Sequence, residues 1–476
     1  MSKRARTETS ALKTDSTLCH IEHTLSARGA LAKRRPFSYF DAFVESIRNS
    51  YDQKLNAEGY INLAVAQDVL TSNAFHDRLL EAFATPDNIP VSSTSYDDMK
   101  GSHKLRKAMA AHILKRMATS KRLNFHTPPL NIGPQHIVIS SGAGAIIENL
   151  AFCIANKGDY VMIPAPFYPA FPNDLRARMG INCVPVCRDF EYGKNMSYEF
   201  HKLPSEAAFR RAMGQRRGER CAAIIICNPD NPTGIRYTSD DCKEIVMWAT
   251  REGIHVIFDE VYACSMLQDE RRDAMQMSGV DFLQDLESSD SVRAHVHIVY
   301  GLSKDFCASG YRVGALCTMN ADILRAMDNI SYFCAVPGPL QCALVDVLED
   351  ENFMDTFLRM KTKRLSDQWK LLSAELIEPL KKINPKFTDR EVVRADAGIF
   401  MFLNLSMFFD DKESESEFWY RMYDDAKVVL TPGNDCAMPI EGFFRICYAS
   451  VSPEILKVAC QRIVKACSRT SLDEIN

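Results

Sequence analysis

Seven apolar stretches of strand length lie in the middle of the chain. Most are apolar at every position rather than at alternate positions, which is typical of strands buried on both faces of a parallel sheet. Helix-like stretches separate them. One covers residues 238–253, where Ser239 and Asp240 suit a helix start and Gly253 suits its end. The pattern predicts an α/β domain with a mainly parallel seven-stranded sheet. The predicted strands are residues 136–140, 160–164, 181–187, 221–227, 254–258, 295–300 and 312–318.

A different pattern begins after about residue 338. Helical periodicity runs with breaks over residues 338–383, and short apolar stretches follow at 398–405 and 443–450. This arrangement favours a smaller α+β domain, which residues 36–70 complete or flank. We predict four parts. They are a disordered N-terminal tail (1–35), an N-terminal arm with part of the small domain (36–90), a large domain (91–335) and a C-terminal small domain (336–476).

Composition excludes several classes of function. The chain has 476 residues, 46% hydrophobic and 25% charged, and a formal net charge of -4. We therefore expect neither a nucleic-acid partner nor a membrane partner. The polar N-terminus has no apolar signal-peptide core, and no apolar run reaches the length of a membrane span. These features predict a cytoplasmic protein with reduced cysteines.

The sequence predicts no metal site. Cys183 and Cys187 are the closest suggestive cysteine pair, but no second pair or nearby histidine completes a ligand set. His295 and His297 fall on one face of a predicted strand, where sheet-facing histidines are a simpler interpretation than metal ligands.

Small and polar residues follow several of the predicted strands. Gly142, Ala143 and Gly144 follow the first strand and open a helix, whose N-terminal N–H groups favour a phosphate. Ligands bind beyond the carboxyl ends of the strands in such sheets, so groups at this edge are expected to face one site. The later segments are NPDNPTG (228–234) with Asn231, DEVY (259–262) with Asp259 and Tyr262, and LSKDFCASGYRVG (302–314) with Lys304 and Arg312.

In this order, the segments resemble motifs of pyridoxal 5′-phosphate (PLP) enzymes with the aspartate aminotransferase fold (fold type I, class I/II aminotransferases). The resemblance extends from about residue 60 to about residue 465. PAPFYPAF (164–171), LSKDFCASGYRVG and GFFRICYAS (442–450) look most like the branch of 1-aminocyclopropane-1-carboxylate (ACC) synthases. The resemblance implies PLP as cofactor, an amino acid as substrate and a homodimer with shared active sites.

The resemblance also implies a role for each candidate residue. Lys304 would form an aldimine with PLP and then move the substrate α-proton, giving a quinonoid intermediate. Asp259 would pair with the pyridine nitrogen, and Arg445 would bind the substrate α-carboxylate. The other implied contacts are Tyr262 and Asn231 at the phenolic oxygen, Asn231 also near the substrate, Tyr168 stacked on the ring, and Ser303, Arg312, Ala143 and Gly144 at the phosphate. Tyr96 is the candidate that reaches the phosphate in the other subunit.

The chain departs from the family pattern in three respects. Gly301 and Gly144 stand where the family often has serine and threonine, although backbone N–H groups would compensate. ACC synthases carry a glutamate–asparagine pair where this chain has Gln67 and Asp68, so a carboxylate near the substrate is lost unless Asp68 replaces it. Gln67 is kept as a candidate substrate-binding residue.

These departures rank the possible reactions. An aminotransferase is the first expectation, and a carbon–sulfur β-lyase acting on cysteine conjugates in secondary metabolism is the leading alternative. ACC synthesis comes third because of Gln67. A catalytically silent PLP-binding protein is the non-enzyme alternative, which the complete set of Lys304, Asp259 and Arg445 disfavours.

Overall fold

The computed structural model describes residues 24–118, 132–188, 200–268, 277–285 and 289–468. The chain divides into two compact units, Met1–Arg35 and Pro36–Asn476. The described part of the first unit contains one short helix, α1 (Ala27–Leu31). The predicted disordered tail therefore lies mostly outside the described residues, since residues 1–23 are not among them.

The second unit contains two main sheets. The strands, in chain order, are β1 (Ile61–Asn62), β2 (Ile137–Ser140), β3 (Tyr160–Ala165), β4 (Asn182–Cys187), β5 (Cys221–Cys227), β6 (His255–Asp259), β7 (Val296–Gly301), β8 (Gly314–Thr318), β9 (Val392–Val393), β10 (Phe400–Asn404), β11 (Val428–Val429), β12 (Thr431–Pro432) and β13 (Phe443–Cys447). The larger sheet has seven strands in the order β2-β8-β7-β6-β5-β3-β4. In it, β8 runs antiparallel to both of its neighbours and the other pairs are parallel.

The predicted mainly parallel seven-stranded sheet is confirmed. Every residue of β3, β5 and β7 is buried, which explains why their sequences are apolar throughout. The edge strand β4 instead alternates between buried and more exposed residues along its second half. The last strand begins at Gly314, two residues later than predicted, because Arg312 adopts a left-handed backbone conformation (φ 52°) that ends extended pairing.

Helices connect and cover the strands. In chain order they are α2 (Phe40–Arg48), α3 (Ser72–Ala84), α4 (His103–Arg116), α5 (Ala143–Ile154), α6 (Phe171–Arg176), α7 (Glu206–Gly214), α8 (Ser239–Arg251), α9 (Gly279–Gln284), α10 (Asp290–His295), α11 (Leu302–Asp305), α12 (Ala321–Ile330), α13 (Gly338–Glu349), α14 (Glu351–Leu372), α15 (Glu378–Ile383), α16 (Glu415–Asp424) and α17 (Pro453–Cys467). The helix predicted at 238–253 is α8. Its N-cap is Thr238, which accepts a hydrogen bond from the Asp241 N–H, so neither Ser239 nor Asp240 caps it.

A smaller antiparallel sheet has the order β12-β13-β10-β9. The predicted broken helical segment over 338–383 is present as α13, α14, a π-helical turn (Ser373–Ile377) and α15. β1 pairs in parallel with β11, which joins an N-terminal stretch to the C-terminal region. The predicted domain boundaries stay a prediction.

Two observations concern the cysteines and the membrane spans considered from composition. Every cysteine in the described ranges is a free thiol. Within those ranges, no single helix is long and apolar enough to cross a membrane. One pair of helical segments is long and apolar enough when the two are taken together, but the pair is bent by 114°.

Three histidines meet at the amino ends of β6 and β7. The expectation that His295 shares a strand face with His297 is wrong, because His295 is the last residue of α10 and β7 begins one residue later. The buried His297 ring lies between His255, at 2.9 Å from Nδ1 to Nε2, and the hydroxyl of Thr318 at 2.8 Å. Among the described residues, no group of three or more histidine, cysteine or acidic side chains could hold a metal ion.

This cluster predicts acid sensitivity. Burial, together with the nearby charges of His295 and Arg220, lowers the pKa of His255 from 6.5 to about 4. Between these two values the unfolded chain binds a proton that the folded chain does not, so stability is lost as the pH falls from 6.5 to 4. Between pH 6.5 and pH 4, we expect the wild type to lose about 3 kcal/mol more of its free energy of unfolding than His255→Gln loses. Denaturant unfolding at a series of pH values measures this, with the exposed His103→Gln as control. Equal slopes for His255→Gln and wild type would contradict the prediction.

Candidate active site

The candidate residues converge because neighbouring strands end at the same edge of the large sheet. Asp259 is the last residue of β6, and it pairs in register with Cys227 at the end of β5 and with Val299 in β7. The segments that carry Asn231 and Lys304 follow β5 and β7 directly. The carboxyl ends of parallel strands therefore bring these side chains to one place.

Lys304 lies in the single turn of α11, partly buried, and its Nζ donates a hydrogen bond to the carbonyl oxygen of Ala66 (2.5 Å). Burial lowers the pKa of Lys304 to about 8. The positive charges of Arg445 and Arg312 act in the same direction, and the charge of Asp259 opposes them. A substantial fraction of this amine is thus neutral near physiological pH and can act as a base or nucleophile.

Asp259 is buried, and its Oδ1 has no hydrogen-bond partner within the ranges that the structure describes. Burial raises the pKa of Asp259 to about 7, although the Val261 N–H and the Lys304 charge lower it. A buried carboxylate oxygen without a partner is costly. It is suited to receive a hydrogen bond from a cationic N–H group of a ligand.

Arg445, from the smaller sheet, reaches across to the large sheet. Its Nη1 donates to Asn231 Oδ1 (2.8 Å), and its Nη2 donates to Ala64 O (2.5 Å) and Thr431 Oγ1 (3.0 Å). The guanidinium packs over the Phe400 ring at 4.4 Å. The amide of Asn231 in turn donates to the hydroxyl of the buried Tyr262 (3.4 Å).

A second cation lies at the start of α5. A Cβ atom at Gly142, the N-cap of α5, would lie 2.5 Å from Arg312 Nη2, so a side chain here would displace this guanidinium. Gly142 also has a positive φ of 88° and gives the helix no side-chain cap. The first N–H groups of α5, which include those of Ala143 and Gly144, therefore have no capping side chain, and Arg312 lies beside the N-cap, as suits a phosphate site.

Ser303 and Gly301 lie beside this site, and only Gly301 departs from the family pattern. Ser303 lies in the same turn as Lys304 and is partly buried. A Cβ atom at Gly301 would make only ordinary contacts, the nearest with Val313 O at 3.5 Å. The missing family serine at this position is thus not excluded by lack of space.

The remaining candidates are Tyr168, Gln67 and Tyr96. Tyr168 is partly buried, packs edge-to-face on Phe171 (5.3 Å between centroids), and has its pKa raised, mainly by burial. Gln67 is exposed, and its carbonyl oxygen accepts a hydrogen bond from Cys447 Sγ (3.3 Å). Tyr96 is 89% exposed and lines a separate cavity of about 640 Å³. The chain itself therefore does not bring Tyr96 to the site.

Sequence reasoning missed two buried groups beside Lys304. Asp305 accepts hydrogen bonds from Ser265 Oγ (2.6 Å), the Cys264 N–H (2.9 Å) and Tyr300 OH (2.9 Å). Lys361 forms a buried ion pair with Asp68. Asp68 is therefore not a free substitute for the glutamate of ACC synthases, because its carboxylate is committed to Lys361.

A sequence signal for Lys361 does exist. It occupies the buried stripe of α14, at helical spacing with its apolar residues, where a lysine is out of place. The buried residues of α14 are Met354, Phe357, Lys361, Leu365, Ser366, Gln368 and Leu372.

These observations test whether the residues fit PLP. The Asp259 oxygen without a partner matches a protonated ring nitrogen, the Gly142 cradle with Arg312 matches a phosphate, and the Lys304 amine matches an aldehyde. The residues therefore fit the group.

The site formed by Gly142 and Arg312 predicts effects of very different size for two glycine substitutions. We expect Gly142→Ala to weaken PLP binding by about 100-fold, because the added methyl group displaces Arg312 and strains the backbone. Gly144→Ala should change it less than about threefold, because no atom lies within 4 Å of the added Cβ. Titration of cofactor-free protein with PLP by absorbance gives both dissociation constants. Equal affinities for the two variants would show that the phosphate does not bind here.

Comparison with known proteins agrees with this geometry. The family model of aminotransferase class I and II matches residues 65–463. ACC synthase 2 of Arabidopsis thaliana is 29% identical over 89% of this chain and 82% of its own length, and ACC synthase 6 of Oryza sativa subsp. japonica is 29% identical over 92% and 78%.

Solved structures show the same fold. Aspartate aminotransferase from Thermus thermophilus with maleate has a TM-score of 0.71 at 20% identity, covering 93% of this chain and 99% of that one. Aspartate aminotransferase from Thermotoga maritima has a TM-score of 0.68 at 21% identity, with the same coverage. The chain thus belongs to the aminotransferase class I and II family of PLP-dependent enzymes.

Proposed function

We propose that this enzyme binds an α-amino acid through Arg445, removes its α-proton with Lys304 and transfers its amino group. The observation that carries the proposal is the state of Arg445. Its side chain is buried, and within the described ranges no carboxylate lies within salt-bridge distance of it. A buried cation without an anionic partner is unfavourable in a folded protein. The carboxylate of a substrate would supply the missing charge.

Lys304 is the group that moves the proton. PLP, when bound, acts as an electron sink for the negative charge that forms at the substrate α-carbon. The lowered pKa of Lys304, about 8, leaves its Nζ able to accept the α-proton and to return it elsewhere. The Ala66 carbonyl holds Nζ in place from one side.

The other residues bind and orient. Asp259 would keep the proton on the ring nitrogen, and Arg312 with the start of α5 would hold the phosphate. Asn231 connects Arg445 to Tyr262 by hydrogen bonds, so the proposed carboxylate-binding group and the hydroxyl proposed to contact the cofactor are linked. Tyr168 would cover one face of the ring.

The immediate surroundings of Lys304 support amino-group transfer over ring closure. Gln67 offers an amide where ACC synthases have a carboxylate, and the Asp68 carboxylate is committed to Lys361. ACC synthesis is nevertheless the second candidate, because the curated relatives reported above are ACC synthases.

One experiment tests the proposal and distinguishes the reactions. Purified enzyme with PLP is incubated with a panel of amino acids, cysteine S-conjugates and S-adenosylmethionine. We expect a keto acid and the aminated cofactor. ACC would establish the second candidate, whereas pyruvate with ammonia and a thiol would establish the lyase alternative. Protein that forms no borohydride-stable PLP adduct at residue 304 would refute the proposal as a whole.

The role of Arg445 gives a quantitative prediction. Arg445→Lys keeps the charge but not the planar donor geometry, so kcat/KM for α-amino acids should fall by about 100-fold, mainly through KM. The same variant should react with a simple amine that lacks a carboxylate as fast as the wild type does. A similar loss with both compounds would mean that Arg445 does not bind the carboxylate.

We also propose that the enzyme is a homodimer in which Tyr96 contacts the phosphate in the other subunit. The support is its exposure of 89% in a chain where the other phosphate candidates are already assembled.

Mixed dimers test this arrangement. Tyr96→Phe and Lys304→Ala proteins should each have low activity, but equimolar subunit exchange should restore about a quarter of the wild-type activity, because half of the dimers then contain one complete site. Activity and dimer formation are followed together. No recovery in confirmed mixed dimers would place Tyr96 in its own subunit's site, and a fully active Tyr96→Phe protein would remove it from the site.

A further inference from the structure

One short backbone segment contacts two of the three cations of the site, Lys304 and Arg445. The carbonyl oxygen of Ala64 accepts a hydrogen bond from Arg445 Nη2 (2.5 Å), and that of Ala66 accepts one from Lys304 Nζ (2.5 Å). The main-chain oxygen of Gln67 accepts a hydrogen bond from Cys447 Sγ. Cys447 lies two residues beyond Arg445 in β13. This segment, residues 64–68, therefore helps to orient Lys304 and Arg445.

The segment is fixed at its end by an ion pair with no exposure to water. The Asp68 carboxylate contacts Lys361 Nζ through Oδ2, and both side chains are 0% exposed. The other carboxylate oxygen accepts a hydrogen bond from the Leu70 N–H (2.8 Å). Both oxygens of Asp68 are thus used within the protein.

Lys361 also contacts the backbone of Lys304. Its Nζ donates to the carbonyl oxygen of Lys304 (2.9 Å) and lies 3.9 Å from Cys307 Sγ. A lysine ammonium has three donors, and here they are directed at Asp68, Lys304 and Cys307. The Lys361 ammonium group therefore contacts both the 64–68 segment, which faces Nζ of Lys304, and the main chain of Lys304 itself.

Stability alone is a poor explanation for this arrangement. Removing two charges from water costs several kcal/mol per ion, and apolar residues of similar volume often replace a buried pair without loss of stability. Burial acts to lower the pKa of Lys361, but Asp68, Cys307 and Asp305 raise it above its ordinary value, so the Lys361 ammonium stays charged. Lys361 could be methionine on the buried stripe of α14 without disturbing the helix pattern.

We propose that the Asp68–Lys361 pair is a positioning unit, which holds the Ala66 carbonyl and the Lys304 main chain together so that Nζ points at the reacting atoms. The catalytic part of this inference rests on the proposed function. Neither residue is expected to touch substrate or cofactor.

The decisive variant is the double replacement Asp68→Ala/Lys361→Met. It removes both members of the ion pair. The buried Asp305, whose pKa burial raises and the Lys361 charge lowers, keeps its three hydrogen-bond donors. The variant should therefore fold with a melting temperature close to that of the wild type. It also removes the hydrogen bond to the Lys304 carbonyl. The single variant Lys361→Met is a harsher test, since it leaves Asp68 unpaired. Lys363→Met is the matched control on the same helix, because Lys363 pairs with Asp367 on the exposed surface.

Two measurements report on Lys304 besides turnover. The first is a pH titration of the absorption spectrum of bound PLP in the holoenzyme. The second is the pH dependence of trace acetylation of Lys304 in the cofactor-free full chain, read by mass spectrometry. The charges that act on Nζ from neighbouring elements are those of Asp259, Arg312, Arg445 and Cys447, and all of them are retained in these variants.

We expect the double variant to shift both titration midpoints by about half a pH unit or more, and to lower kcat about tenfold or more with KM within about threefold. Lys363→Met should match the wild type in every measurement. A folded double variant with wild-type midpoints and wild-type kcat would overturn the proposal. So would a double variant that does not fold, because the pair would then be structural.

Failure of this inference is distinguishable from failure of the proposed function. Acetylation of Lys304 needs neither PLP nor substrate, so a shifted midpoint in the cofactor-free chain supports the positioning unit even if the wild type forms no PLP adduct. An unshifted midpoint overturns the positioning unit even if the wild type is an active aminotransferase.

Discussion

The site depends on the parallel register of β5, β6 and β7. Because these strands run side by side in one direction, their carboxyl ends place Asn231, Asp259 and Lys304 at one edge. Each strand is buried along almost its whole length, so its end cannot shift without disturbing the core. These three residues are therefore held at the edge of a well-packed sheet.

Charge is the second organising feature. Arg445 is buried, Arg312 lies against the start of α5, and Lys304 is close enough to both for their charges to lower its pKa. Such a concentration of positive charge is unfavourable in the free protein and becomes favourable when an anionic cofactor and an anionic substrate bind. Lys361, in contrast, has its own anion in Asp68. The proposed roles therefore assign Arg445, Arg312 and Lys304 to ligands and Lys361 to the scaffold.

How far the sequence predicts this arrangement depends on how local each signal is. The residues that directly follow apolar strands, such as Asp259 and Lys304, were identified because strand and motif are adjacent in the chain. The seven strands were found for the same reason. His295 was placed wrongly because the alternating stretch 295–300 does not reveal that α10 extends to its first residue.

Long-range pairs were harder to predict. The contact between Asp68 and Lys361 spans 293 residues, and no local pattern connects them. The buried stripe of α14 marks Lys361 as unusual but does not identify its partner. Tyr96 remains a family-based prediction for a related reason, since a residue proposed to act in another subunit has no signature within its own chain.

The hydrogen bond between Arg445 and Ala64 joins residues 381 positions apart. Contacts of this separation are slow to form, because closing so long a loop costs conformational entropy. During synthesis the large sheet can be complete while the ribosome still holds the strand that carries Arg445, since β8 ends at Thr318 and β13 begins at Phe443. If the proposed roles hold, such a nascent chain would carry Lys304 and Arg312 but not Arg445, so it could bind an amino acid only after β13 is made.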